Sequence, residues 1–149
     1  MIANLNVPLT IAPPARVENR PVPSPLRVLV VDDNVVGARL MSRLLQGCGH
    51  QMSLAHDGPG AIDAAAAHDP DVILLDIGLP GFDGHEVARR LRKRHAARPV
   101  LLVAVTGASQ DDDLRRSRES GFDHHLVKPV DPEALIDLLD RHRPARAAG

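Results

Sequence analysis

Leu26-Arg27-Val28-Leu29-Val30-Val31-Asp32-Asp33-Asn34 is the stretch on which the reading of this chain turns. Its first six residues are almost wholly apolar and rich in branched side chains, which is the composition of a central parallel strand covered on both faces. Two carboxylates end the run, and Asp33 or Asn34 is placed to cap a following helix. The pattern recurs downstream: Asp76 follows the apolar run 72–75, Thr106 follows 100–105, and Lys128 follows Leu126 and Val127. In an open parallel α/β sheet, the carboxyl ends of adjacent strands converge on one crevice. Three carboxylates there repel one another unless a cation joins them, and a hard divalent ion such as Mg²⁺ suits an all-oxygen set. Acids, a hydroxyl and an ammonium at successive strand ends point to a site that handles a phosphoryl group.

Outward from that stretch, strands and helices alternate. Residues 35–45 read as a helix with Val36, Leu40, Leu44 and Leu45 as apolar contacts, ended by Gly47 or Gly49. A brief second strand (51–55) precedes an Ala-rich helix (60–67), and Ala favours helix strongly. Pro70 leads into the third strand, 72–75, and three glycines make 78–84 a loop of tight geometry. The next helix, 85–95, turns Val87, Ala88 and Leu91 inward. Its Arg89, Arg90, Arg92, Lys93 and Arg94 read as a solvated face, with an anion patch as the alternative. After the fourth strand, 100–105, Ser109 and the acids 111–113 suit the start of a helix that Gly121 ends. Asp111/Arg115 and Asp112/Arg116 pair along it at a spacing of four. A fifth strand (124–127) and a final helix (131–139) complete five strand–helix units. This alternation predicts an α/β fold: a doubly wound five-stranded parallel sheet, order 2-1-3-4-5, flanked by helices.

At 149 residues and 44% hydrophobic, the chain suits one domain with a substantial core. A net charge of -1 gives no reason to expect nucleic-acid binding or membrane attraction. Phe82 and Phe122 are the whole aromatic supply, so stacking platforms for nucleic acid are absent. Cys48 is the sole cysteine, which excludes a disulfide framework and a thiolate metal cage; it is expected as a buried small hydrophobe near the end of the first helix. No apolar stretch reaches membrane-spanning length, and the start lacks the pattern of a secretory signal, so a cytoplasmic location is the default expectation. Residues 1–25 carry Pro8, Pro13, Pro14, Pro21, Pro23 and Pro25 and read as an extended leader or linker. The domain is expected over 26–141, with a short flexible tail at 142–149.

Each pocket residue has a plain reading beside the functional one. Asp76, after four buried apolar residues, is either a nucleophile that forms an aspartyl phosphate or a cap. Asp33 is the better direct metal ligand; Asp32 contributes through a bound water. The carbonyl of Gly78, two residues past Asp76 in a turning loop, suits the same shell. Asp57, Asp69, Asp71 and Asp83 adjoin turns, and capping or solvent exposure explains them. Lys128 holds Asp76 and later a phosphoryl oxygen, or is a surface lysine at a strand end. Thr106 donates its hydroxyl to another phosphoryl oxygen, or caps a turn; Gly107 and Ala108 leave little bulk beside it.

Taken in order, four segments carry a resemblance. They are Val30-Val31-Asp32-Asp33-Asn34, Leu74-Leu75-Asp76-Ile77-Gly78-Leu79-Pro80-Gly81-Phe82-Asp83-Gly84, Thr106-Gly107 and Leu126-Val127-Lys128-Pro129. Over about 26–141 the chain resembles the receiver domain of two-component response regulators, and in character the receivers of hybrid sensor histidine kinases. The resemblance implies the flavodoxin-like receiver fold, with Asp76 as the phosphorylated residue. It implies Asp32, Asp33, Asp76 and the Gly78 carbonyl as ligands of Mg²⁺, with Mn²⁺ as a substitute. Thr106 and Lys128 would read the phosphorylated state. The donor would be a phosphohistidine of a sensor histidine kinase or a histidine-phosphotransfer protein. The domain would catalyse its own phosphorylation and slow dephosphorylation, as a signalling switch rather than a turnover enzyme.

One position departs from the pattern. Three residues before the lysine, where the family often has Tyr or Phe, this chain has His125, which is either a modified switch residue or simple strand packing. Output is expected through the fourth predicted helix, fifth strand and fifth predicted helix, about 111–140, toward a downstream protein or a second copy. Asn4-Leu5-Asn6-Val7-Pro8-Leu9 looks like the last strand of a histidine-kinase ATP-binding domain, with the Pro-rich segment as its linker to a receiver. Two alternatives remain at this point: a receiver-like interaction domain that works without phosphorylation, and a small α/β hydrolase using an aspartate, which would need a substrate-covering cap.

Overall fold

The computed structural model describes residues 24–79, 83–107, 115 and 118–142. Strands β1 (Arg27–Val31), β2 (Gln51–Ala55), β3 (Val72–Asp76), β4 (Leu101–Thr106) and β5 (His124–Val127) form one sheet in the order β2-β1-β3-β4-β5. Every neighbouring pair is parallel. Helices α1 (Val35–Gly47), α2 (Gly58–His68), α3 (Gly84–Arg94) and α4 (Pro132–His142) cover its faces. Of the helix expected between β4 and β5, Arg115, Arg118, Glu119, Ser120 and the ending Gly121 fall among the described residues; its Ser109 start and the partners Asp111, Asp112 and Arg116 lie outside them. So do the leader through residue 23, Pro80, Gly81, Phe82, Ala108 and the tail from residue 143.

Alternation along each strand builds two cores. Leu29, Val31, Ile73, Leu75, Leu102 and Ala104 pack with Ala61 and Ala65 of α2 and with Val87, Ala88 and Leu91 of α3. Their neighbours Val28, Val30, Val72, Leu74, Val103 and Val105 pack on the other face with Ala38 and Leu45 of α1 and Leu135, Leu138 and Leu139 of α4. Each fully buried Leu or Ile contributes about 2 kcal/mol relative to exposure, so both faces must be covered for the sheet to persist.

Local chemistry sets the helix boundaries. Asn34 caps α1, its side-chain oxygen accepting from Gly37 N–H at 3.0 Å. Asp57 does the same for α2 through Gly60 N–H at 2.7 Å; with Pro59 in the first turn, the helix starts two residues before the expected one. Asp83 caps α3 through His85 N–H at 2.9 Å. Gly84 opens that helix against β3: a Cβ there would stand 2.6 Å from the Ile77 Cα, so only glycine permits this approach. At the far end of α1, Gly49 takes the left-handed conformation (φ 95°), and Cys48 is a half-buried C-cap rather than a buried core residue.

The inward face of α1 differs from the expected one. Ala38, Ser42 and Leu45 are buried, whereas Val36 and Leu40 are 68% and 64% exposed. Residues 38, 42 and 45 form one stripe at helical spacing, and the small Ala38 and Ser42 let the helix lie close to the sheet. Charged residues also do more than face water. Arg92 donates to the Val100 carbonyl at 2.6 Å, to the Gly121 carbonyl at 3.2 Å and to Asp123 at 2.8 Å, tying α3 to the flanks of β4 and β5. Arg89 and Arg90 both pair with Glu86; Arg90 first and Arg89 second hold its carboxyl below the ordinary range. At the amino-terminal edge of the sheet, Asp71 accepts from Arg27 N–H at 2.8 Å and from the Arg98 guanidinium at 2.7 Å, and Asp69 pairs with Arg98. Those two acids are ion-paired rather than merely solvated.

Candidate functional site

Strand parity decides which side chains meet. Asp32, Asp76 and Lys128 each lie an even number of residues from core positions that face α1 and α4, so all three extend on that side. Parallel register then brings them level. β1 and β3 pair Val31 with Leu75, so the next residues, Asp32 and Asp76, sit side by side. β4 and β5 pair Thr106 with Val127, and Lys128 N–H donates to the Thr106 carbonyl at 2.7 Å. The Lys128 ammonium lies 2.8 Å from Asp76 Oδ2 and 3.4 Å from Asp32 Oδ2.

Backbone donors take the remaining oxygens of this pair. Asp76 Oδ1 accepts from Gly78 N–H at 2.8 Å, and Asp32 Oδ1 accepts from Asn34 N–H at 2.9 Å. Asp76 is buried while Asp33 is exposed, yet oxygens of Asp32, Asp33 and Asp76 all lie within 4.8 Å of one another. Three carboxylates against one ammonium leave a formal charge of −2 in a partly buried space. That donor set fits a hard divalent cation: oxygen only, convergent and under-neutralised. Partial burial works against the Lys128 charge, but the carboxylates of Asp76 and Asp32 outweigh it, so the ammonium is held above its ordinary pKa.

A cavity of about 630 Å³ opens beside this cluster, bounded by Gly37 and Met41 of α1, Gly107, Pro129 and Val130. Thr106 ends β4, buried, and its parity puts its side chain on the opposite face from Asp76. His125 shares that face, paired with Ala104 two residues upstream. Both of its ring nitrogens are buried, and neither has a hydrogen-bond partner among the described residues. Gly78 stands in the turn just past β3, exposed. The structure thus gathers Asp32, Asp33, Asp76 and Lys128 into one cluster and sets Gly78 and Thr106 at its border; His125 lies apart, deeper along β5.

One residue at this border was not singled out by the sequence. His56, the first residue past β2, has Nδ1 2.9 Å from the Asp32 carbonyl oxygen. Its signal was positional, since it lies one step beyond a strand end, as Asp32 does beyond β1.

A doubly wound sheet of order 2-1-3-4-5 with an acidic cluster and a lysine at its carboxyl-terminal edge is the architecture of a receiver-type domain. The family model for the response regulator receiver domain matches residues 28–140, and the chain belongs to that family. It is 39% identical over 110 residues to the response regulator PleD of Caulobacter vibrioides, covering 74% of this chain and 24% of PleD. It is 34% identical over 126 residues to the sensor histidine kinase RcsC of Salmonella typhi, covering 82% of this chain and 13% of RcsC. The chain therefore spans only a minor part of these relatives. Among solved structures, the chemotaxis response regulator CheY4 of Vibrio cholerae superposes with a TM-score of 0.73 at 28% identity, over 79% of this chain and 98% of CheY4. No helix among the described residues is long and apolar enough to cross a membrane.

Proposed function

We propose that this receiver domain is a phosphoacceptor switch that takes a phosphoryl group from a partner's phosphohistidine onto Asp76. The observation that carries this reading is the Lys128 ammonium, 2.8 Å from Asp76 Oδ2 and 3.4 Å from Asp32 Oδ2, inside a cluster that keeps a net negative charge. An Asp76 oxygen attacks phosphorus, the bond from phosphorus to the donor nitrogen breaks, and the imidazole leaves with a proton. Lys128 then bears against a phosphoryl oxygen as a point charge, and the Thr106 hydroxyl donates to another. Asp32, Asp33, Asp76 and the Gly78 carbonyl would hold Mg²⁺, with Mn²⁺ as a substitute. When bound, that ion neutralises charge on the transferring group. Water reaching the same face makes slow self-dephosphorylation the reverse side of the switch, so the domain is not a turnover enzyme.

The phosphoryl donor must approach over the rim of this crevice. On that rim α1 exposes Val35, Val36 and Leu40 next to the Asn34 cap, an apolar surface suited to a helix of a sensor histidine kinase or a histidine-phosphotransfer protein. The similarity to RcsC, a sensor histidine kinase, supports that partner class. Output runs through 111–140, of which β5 and α4 are described, toward a downstream protein or a second copy, with Thr106 and His125 as the switch pair. The domain occupies 26–141 between a linker (1–25) and a tail (142–149), and acts in the cytoplasm. Intact-mass measurement after adding a small phosphoryl donor with Mg²⁺ tests the reading. One acid-labile adduct of about 80 Da, absent from Asp76→Ala, is expected. Absence of the adduct on folded wild-type protein, with histidine-phosphotransfer donors as well, overturns it in favour of an interaction domain that works without phosphorylation.

A further inference from the structure

Four strands place a polar residue of the proposed site at or just past their carboxyl ends: Asp32 and Asp33 after β1, Asp76 and Thr106 as the last residues of β3 and β4, and Lys128 after β5. The remaining strand, β2, is followed directly by His56, whose ring Nδ1 lies 2.9 Å from the Asp32 carbonyl oxygen. That carbonyl belongs to the peptide unit joining Asp32 to Asp33. The oxygen carries no hydrogen, so the bond exists only when Nδ1 is the protonated nitrogen of the ring.

This peptide is held through its carbonyl oxygen by the His56 side chain, and the peptide before it is anchored by Asp32 N–H, which donates to the Ala55 carbonyl at 3.0 Å. Rotating the Asp32–Asp33 peptide swings the Asp33 side chain, and no hydrogen bond among the described residues holds the Asp33 carboxylate itself. Asp32 differs: both its carboxylate oxygens are engaged, by Asn34 N–H and by Lys128. The direction of Asp33 is therefore set through its backbone. Three mutually repelling carboxylates converge only if something keeps the most exposed of them from turning out to water.

We propose that His56 is a positioning residue for the divalent-cation site: it holds the Asp32–Asp33 peptide so that Asp33 is preset toward Asp32 and Asp76. This inference rests on the reading of the acidic cluster as a metal-dependent phosphoacceptor site. It is geometric and needs no change in the charge of the ring. Because the bond is exposed to water, it adds little to global stability; its effect falls on the cation, which needs all three oxygens at once. Groups that orient metal ligands in this way typically change affinity tenfold or more when removed.

Mg²⁺ itself is the probe, titrated calorimetrically into the full chain as wild type, His56→Ala and His56→Asn. The asparagine amide nitrogen sits where Nδ1 does and donates to the same carbonyl. His56→Ala is expected to bind Mg²⁺ about tenfold more weakly, and His56→Asn within about threefold of wild type. The three proteins should melt together in the absence of Mg²⁺. Wild-type affinity in His56→Ala, or equal weakening in both variants, overturns the proposal. If wild type binds Mg²⁺ and takes up the phosphoryl group while His56→Ala matches it, only the role of His56 falls. If wild type does neither, the reading of the site falls and the role of His56 with it.

Discussion

At the amino-terminal edge of the sheet, Asp69 and Asp71 meet Arg27 and Arg98; at the carboxyl-terminal edge, among the described residues, Asp32, Asp33 and Asp76 meet Lys128. The two clusters draw on the same side-chain chemistry in different proportions. Two acids against two guanidinium groups make a neutral network at the surface, with the Arg side chains 37% and 52% exposed. Exposed pairs of that kind contribute little, and none of their charge is left to bind anything. Three acids against one ammonium are unbalanced, and Asp76 is buried besides. That imbalance is held in place by the core beneath it, and in the proposed switch a cation or a phosphoryl group would respond to it. A balanced cluster joins parts of the fold; an unbalanced one leaves work for a ligand.

Asp76 separates the two edges most strongly. Asp76→Ala should abolish the phosphoryl adduct completely in intact-mass measurement, whereas Asp71→Ala should leave it in place. Next in size, Lys128→Gln should slow phosphorylation about a hundredfold, the scale of losing one preorganised charge-stabilising donor, read as the rate of adduct formation. Arg98→Gln should leave that rate unchanged.

Cation binding separates the two edges by stability. Mg²⁺ at a hundred times its dissociation constant should stabilise the wild type by about 2.7 kcal/mol, read by denaturant unfolding. Asp33→Asn should lose most of that increment. Arg98→Gln should keep all of it while lowering baseline stability by no more than about 1 kcal/mol. The smallest effect concerns pH. The Lys128 pKa is raised in the folded state, so its stabilising contribution is complete below the ordinary lysine value of 10.5 and fades as pH climbs through the raised one. Unfolding followed from pH 8 to 11, a range chosen around the ordinary lysine value of about 10.4, should show a slightly steeper alkaline loss in wild type than in Lys128→Gln. A parallel decline in the two proteins would remove Lys128 from the balance of that edge.

The unbalanced edge was the more legible of the two in the sequence. Asp32, Asp33, Asp76 and Lys128 each follow an apolar run, and strand parity together with parallel register carries a linear pattern into a spatial one. The five strands were readable for the same reason: runs of Val, Leu and Ile have no other way to be covered on both faces. The balanced edge gave no such signal. Arg98 reaches Asp69 and Asp71 across 29 and 27 residues, and nothing local marks those partners. Arg92 was hidden likewise, since two of its acceptors are backbone carbonyls of Val100 and Gly121, which any residue presents. His56 escaped because its bond also goes to a carbonyl. On α1, hydrophobicity misdirected the reading: Val36 and Leu40 look like core, but the close approach of helix and sheet selects the smaller Ala38 and Ser42.

Gly78 gives the unbalanced edge one more property. Its backbone N–H is engaged there, and among the described residues a Cβ added to it would meet nothing closer than Asp76 Oδ1 at 3.4 Å, an ordinary contact. Against the described residues the position has room for other side chains, and each would cover Asp76 from water to a different degree. In the proposed switch, a signal carried on Asp76 would have a duration as well as an amplitude. Substitution at Gly78 would then lengthen or shorten the memory of a stimulus while the groups proposed to write it stay where they are.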